Sequence, residues 1–115
     1  MNRWGQSLKK IVEKAAELTQ IKKSTLCYGD VVQIFTHNSV YTVFVLEGGL
    51  YLVSGGWFDR KDLSPIKTTI TGCTWGGSII KLDVLAACGL CIEFGNRVVT
   101  TPVRKVCLIP NGGIN

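Results

Sequence analysis

Cys88-Gly89-Leu90-Cys91 is the pattern in this chain that most suggests chemistry, because two thiols three residues apart serve both disulfide oxidoreductases and zinc sites. Its setting argues against both uses. A redox pair works from a helix N-terminus that lowers the thiol pKa, whereas VLAACGLCIEF reads as an apolar extended run ending in a hairpin. Strand positions three apart also face opposite ways. A tetrahedral zinc would need further ligands from Cys27, Cys73, Cys107 and the lone His37, with no second pair at metal spacing. The five cysteines are therefore read as buried structural residues, and no metal site or cofactor is expected.

His37 stands in THNSVY, where Asn38 and Ser39 are ordinary turn formers. Pairing it with Cys73 or Ser39 as nucleophile lacks a third group to orient the base, so no catalytic set is expected. The carboxylates Asp30, Glu47, Asp59, Asp62, Asp83 and Glu93 are scattered through turns and strand ends without forming an acid–base pair. Gly48-Gly49 joins two extended runs and lacks the helix N-terminus that gives a phosphate loop its positive field. A small metal- or thiol-dependent enzyme built on His37 and the cysteines is thus the last of three functional readings.

Two segments place a tryptophan beside paired glycines: Ser54-Gly55-Gly56-Trp57-Phe58-Asp59-Arg60 and Gly72-Cys73-Thr74-Trp75-Gly76-Gly77. Glycine lets a ligand approach the backbone while an indole supplies a stacking face, and Arg60 can engage an anion. On this reading Trp57, Phe58, Arg60 and Trp75 form the contact surface of a small non-enzymatic binding or adaptor domain, with a protein or small ligand as partner. The competing structural reading is that small barrels need glycine at sharp bends and a large ring to fill the interior.

The chain carries 13 Lys+Arg against 8 Asp+Glu, a net charge of +5. The excess is concentrated in residues 1–26, where Arg3, Lys9, Lys10, Lys14, Lys22 and Lys23 face only Glu13 and Glu17. A nucleic-acid-associated protein using Lys9, Lys10, Lys14, Lys22 and Lys23 against a phosphate backbone is accordingly the second reading. Lys9, Lys10 and Lys14 stand at helix-contact spacing from Glu13 or Glu17, so a solvated helix face explains much of the same pattern.

Those residues need elements to position them. Trp4, Leu8, Ile11, Ala15 and Leu18 recur at intervals of three and four, which predicts an amphipathic helix over 4–19. From Asp30 onward the period becomes two, with VVQIF, VYTVFVL and LYLVS rich in β-branched and aromatic residues. Turn signals at 36–39, 47–49, 54–56, 62–65, 76–78 and 95–96 divide this region into about six or seven strands. Gly95-Asn96 fits a two-residue type II′ hairpin. Residues 40–46 are apolar on both faces, so the helix is expected to cover the outer one. A final strand is expected from Val103 to Ile109, with Val103, Lys105, Cys107 and Ile109 on one face, and residues 110–115 as a frayed tail.

The predicted fold class is α+β, mainly β: one domain over 1–115, with the helix packed on a strongly bent antiparallel sheet or small barrel spanning 30–109. Strand number and turn length over about residues 27–110 resemble SH3-like barrels, a likeness of fold that implies no functional residue. No uncharged stretch reaches the ~18 apolar residues of a membrane-spanning helix. The N-terminus interleaves Lys and Glu where a signal peptide has its apolar run, so a reducing cytoplasm is expected. With 46% apolar and 18% charged residues, self-association as a homodimer is a further expectation.

Overall fold

Alternating β-branched and aromatic residues favour a pleated backbone with one face in water and one in a core, and most of the chain takes that form. The computed structural model describes residues 16–75 and 80–111. Its elements are β1 (Ala16–Leu18), β2 (Gln20–Lys22), a 3-10 turn at Lys23–Thr25, β3 (Val31–Thr36), β4 (Val40–Val45) and β5 (Tyr51–Gly55), then helix α1 (Gly56–Arg60). After it come β6 (Ile66–Thr68), β7 (Ile70–Thr74), β8 (Ile80–Lys81), β9 (Val84–Ala87), β10 (Cys91–Phe94) and β11 (Val103–Ile109). The chain is mainly β.

A six-stranded antiparallel sheet runs in the order β1-β11-β3-β4-β5-β6, and its edge strands β1 and β6 do not meet, so it is bent but open. A three-stranded sheet, β10-β7-β8, and a two-stranded one, β2-β9, complete the fold. The chain leaves the large sheet at two single-residue corners. Thr19 separates β1 from β2 and gives its carbonyl to the Cys88 N–H at 2.8 Å. Thr69 separates β6 from β7 and accepts from the Gly95 N–H at the same distance. One hydrophobic cluster joins Val32, Ile34, Val43 and Val53 of the large sheet to Cys73, Leu85, Ile92 and Phe94 of the smaller ones.

Several expectations are corrected. The helix expected over 4–19 lies outside the described residues as far as 15, and its expected last turn is strand instead: Ala16 to Leu18 pair with Leu108 to Val106. Pairing with a neighbouring strand overrides an apolar spacing that suits either structure. The outer face at Phe44 is met by Tyr28, edge-on with ring centroids 6.0 Å apart. Among the described residues from Asp30 onward, nine strands replace the six or seven expected there, because corners such as Thr69 carry no glycine or proline to announce them.

The hairpin at Gly95-Asn96 exists in another form. The Arg97 N–H donates to Phe94 O and the Phe94 N–H to Val98 O, both at 2.9 Å, enclosing Gly95, Asn96 and Arg97, of which Arg97 has φ +68°. Gly95 is needed for space: a Cβ there would land on the Thr69 hydroxyl. Cys88-Gly89 likewise forms a tight turn, closed by Leu90 N–H on Ala87 O at 3.1 Å, and VLAACGLCIEF is therefore two strands and a corner. In β11 the register shifts between Val103 and Lys105, so Val103 and Val106 both point inward and the expected alternation fails. Asn111, assigned to the frayed tail, is held: its N–H donates to Asp30 Oδ1 at 2.9 Å.

Candidate ligand-contact site

Helix α1 is a single turn between two constraints. Gly55 takes φ +99°, and its N–H donates to Asp59 Oδ1 at 3.0 Å and to Ser64 Oγ at 3.2 Å, which caps the helix start. A Cβ at Gly55 would land on the Val40 carbonyl oxygen, and one at Gly56 on the Tyr41 ring. These glycines make room for the protein's own chain rather than for a ligand. Phe58 is 0% exposed and packs edge-on against Tyr41, Trp57 and Phe94 at centroid distances of 6.1, 5.4 and 5.0 Å. It is a core residue, which corrects its assignment to the contact surface. Trp57 is half-buried against that core, its backbone N–H donating to the Tyr41 hydroxyl at 3.2 Å, and Arg60 is exposed.

Trp75 is placed quite differently. At the end of β7 it is 61% exposed, with Lys81 Nζ 5.2 Å from its ring centroid. Both residues line an open cleft of about 360 Å³ whose other walls are Thr19, Gln20 and the turn from Ala87 to Leu90. Leu82, next to Lys81, is 63% exposed. The corner at Thr19 helps build this cleft: Thr19 lines it, and its carbonyl accepts from the Cys88 N–H and so holds the lining turn in place. Trp57 is not among the lining residues, so the two glycine-flanked tryptophans do not converge on one cleft.

The thiols are dispersed. Cys73 is buried in β7, and burial pushes its thiol up to about 11, outweighing the lowering effect of the hydrogen bond with the Ala87 backbone and of the Lys23 charge. It is no nucleophile at neutral pH. Cys88 is exposed in the cleft wall with Sγ 3.5 Å from Arg104 O, while Cys91 is half-buried at the start of β10. Among the described residues no group of three or more His, Cys, Asp or Glu gathers as a metal-ligand set. His37 lies at the β3–β4 turn with Nδ1 3.4 Å from Arg104 Nη1, and no contact joins it to Cys73.

Of the basic arm, Lys9, Lys10 and Lys14 lie outside the described residues. Lys22 is exposed, but Lys23 turns inward and donates from Nζ to the carbonyls of Ile70 and, at 3.1 Å, Thr71. Desolvation lowers its pKa. Lys23 therefore ties the 3-10 turn to β7 instead of facing a phosphate backbone. Sequence reasoning named Trp75 but missed Lys81, Gln20 and the Cys88–Leu90 turn, since only the corner at Thr19 brings these separated segments together. No family model, curated protein or solved structure matches the chain. Among the described residues no helix is long and apolar enough to cross a membrane.

Proposed function

We propose that this chain is a small non-enzymatic binding module and that the cleft beside Trp75 is its contact surface. The observation that carries the reading is an indole left 61% in water at the lip of a cavity of about 360 Å³, although folding buries Phe58 and Phe94 completely. Large aromatics supply much of the contact energy in recognition sites because they offer wide apolar area at low rotamer cost. The Lys81 ammonium over the ring adds a localised positive charge, and Thr19 and Gln20 add hydrogen-bonding groups. Such a surface suits a small molecule or peptide segment that presents a flat apolar group beside a carboxylate.

Incorporation of 5-fluorotryptophan gives one fluorine resonance for each of Trp4, Trp57 and Trp75, assigned with single Trp→Phe variants. Titration with a set of aromatic carboxylates is expected to move the Trp75 resonance saturably while Trp57 stays in place, and Lys81→Gln is expected to weaken the response several-fold. A set that leaves Trp75 unmoved, or that moves Trp57 alone, counts against the proposal.

A further inference from the structure

The β3–β4 turn, none of whose residues lines the Trp75 cleft, gathers a separate group of charged side chains. The β3–β4 turn is closed by Thr36: its N–H donates to Ser39 O at 2.8 Å, and its hydroxyl accepts from Ser39 N–H at 3.1 Å. Two arginines from distant elements reach this short turn. Arg60, the last residue of α1, donates from Nη1 to Ser39 Oγ at 3.2 Å. Arg104 places Nη1 3.4 Å from His37 Nδ1. His37, Asn38, Arg60 and Arg104 are all exposed.

Both arginines are aimed by backbone features. Arg104 is the extra residue of the β11 bulge, where the register jumps from Val103 opposite Thr36 to Lys105 opposite Phe35, and bulges at sheet ends redirect side chains in this way. Arg60 is set by α1, whose start is anchored through Gly55 and whose Trp57 N–H is fixed on Tyr41. Neither guanidinium has a carboxylate within ion-pairing distance among the described residues, where Lys105 with Glu17 at 3.8 Å is the pair formed. The nearest carboxylate in sequence, Asp59, uses Oδ1 to cap Gly55.

A guanidinium carries five N–H donors and no acceptor, so Ser39 and His37 each occupy one and leave the rest to solvent. An Arg104 N–H can only donate, so its contact with His37 Nδ1 favours the tautomer whose N–H donor is Nε2. Two uncompensated guanidiniums and an imidazole N–H gathered on one turn match the oxygen-rich, multiply charged face of a phosphate group. We propose that the β3–β4 turn, with Arg60, Arg104 and His37, is a phosphate-binding site.

The test is a ¹H–¹⁵N titration of the full chain at constant ionic strength with three probes: inorganic phosphate, phenyl phosphate, and a short thymidine oligonucleotide without a terminal phosphate. The expected result is saturable movement of the His37, Asn38 and Ser39 amides and of the Arg60 and Arg104 side-chain Nε–H signals. Arg60→Gln and Arg104→Gln should each weaken the response about tenfold, the double variant should lose it, and Lys67→Gln on β6 should match the parent chain. A response to phenyl phosphate above that to the oligonucleotide identifies a phosphomonoester as the source, and the reverse order a nucleic-acid backbone; either supports the site. No movement at these residues with any probe overturns it, as does a response that survives in a double variant whose remaining spectrum shows it to be folded. These signals are separate from the Trp75 resonance, so the two proposals stand or fall independently.

Discussion

Gly48 and Gly55 both hold positive φ, +71° and +99°, yet they answer to different constraints. At Gly48 an added Cβ meets nothing within 4 Å, so Gly48→Ala should cost only the left-handed backbone penalty of about 1–2 kcal/mol. At Gly55 the same methyl meets the Val40 carbonyl in the adjoining strand, so Gly55→Ala should lower the urea midpoint by clearly more than Gly48→Ala. Phe58→Ala empties the centre of the aromatic group formed with Tyr41, Trp57 and Phe94, and denaturant unfolding should show a loss of about 3–5 kcal/mol. Cys73 carries a pH signature. With the folded thiol at about 11 and 9.0 as its ordinary value, the unfolded chain releases between these limits a proton that the folded chain keeps. Stability is then fully present below pH 9 and falls as pH rises to 11, by at most about 2–3 kcal/mol. The lowered Lys23 ammonium acts in the opposite sense, so the diagnostic is the comparison: stability of Cys73→Ala should fall less steeply over this range than that of the parent chain.

At the scale of elements, Asp30 joins the turn before β3 to the segment that follows β11. Its Oδ2 accepts the Cys27 N–H at 2.8 Å while its Oδ1 accepts the Asn111 N–H at 2.9 Å, and the residue is buried. Removing the carboxylate leaves two backbone donors without their acceptor, so Asp30→Ala should cost about 2–3 kcal/mol and speed amide exchange at Asn111. Unchanged exchange at Asn111 would show that the carboxylate does not hold the end of β11. The same scale shows where periodicity misleads. A single extra residue at the β11 bulge turns Val106 inward and Arg104 outward, although neither the composition nor the spacing of VRKVCLI announces it. Helix α1 escaped sequence analysis for a related reason: five residues are too few to display a helical stripe.

For the whole molecule, the open sheet implies a gradient of protection. β3 and β4 have paired strands on both sides and bury Val32, Ile34 and Val43 completely, whereas among the described residues β1 and β6 are paired on one side only. Native-state hydrogen exchange should therefore be slowest in β3 and β4 and fastest in β1 and β6. Edge strands exchanging as slowly as the centre would mean that the edges are covered, as self-association through β1 or β6 would do.

Strand formation in VVQIF, VYTVFVL and LYLVS was legible from the residues because it depends on side-chain shape and a period of two, both local properties. The final strand was correctly bounded at Val103 and Ile109. Local chemistry does not say which strands become neighbours. The burial of Phe58, the turning of the chain at Thr19 and Thr69, the separation of Trp57 from the Trp75 cleft, and the meeting of Arg60 with Arg104 at one turn all follow from strand register and sheet order. Those are set by which packing buries the most apolar surface across residues tens of positions apart, and only the folded chain decides it.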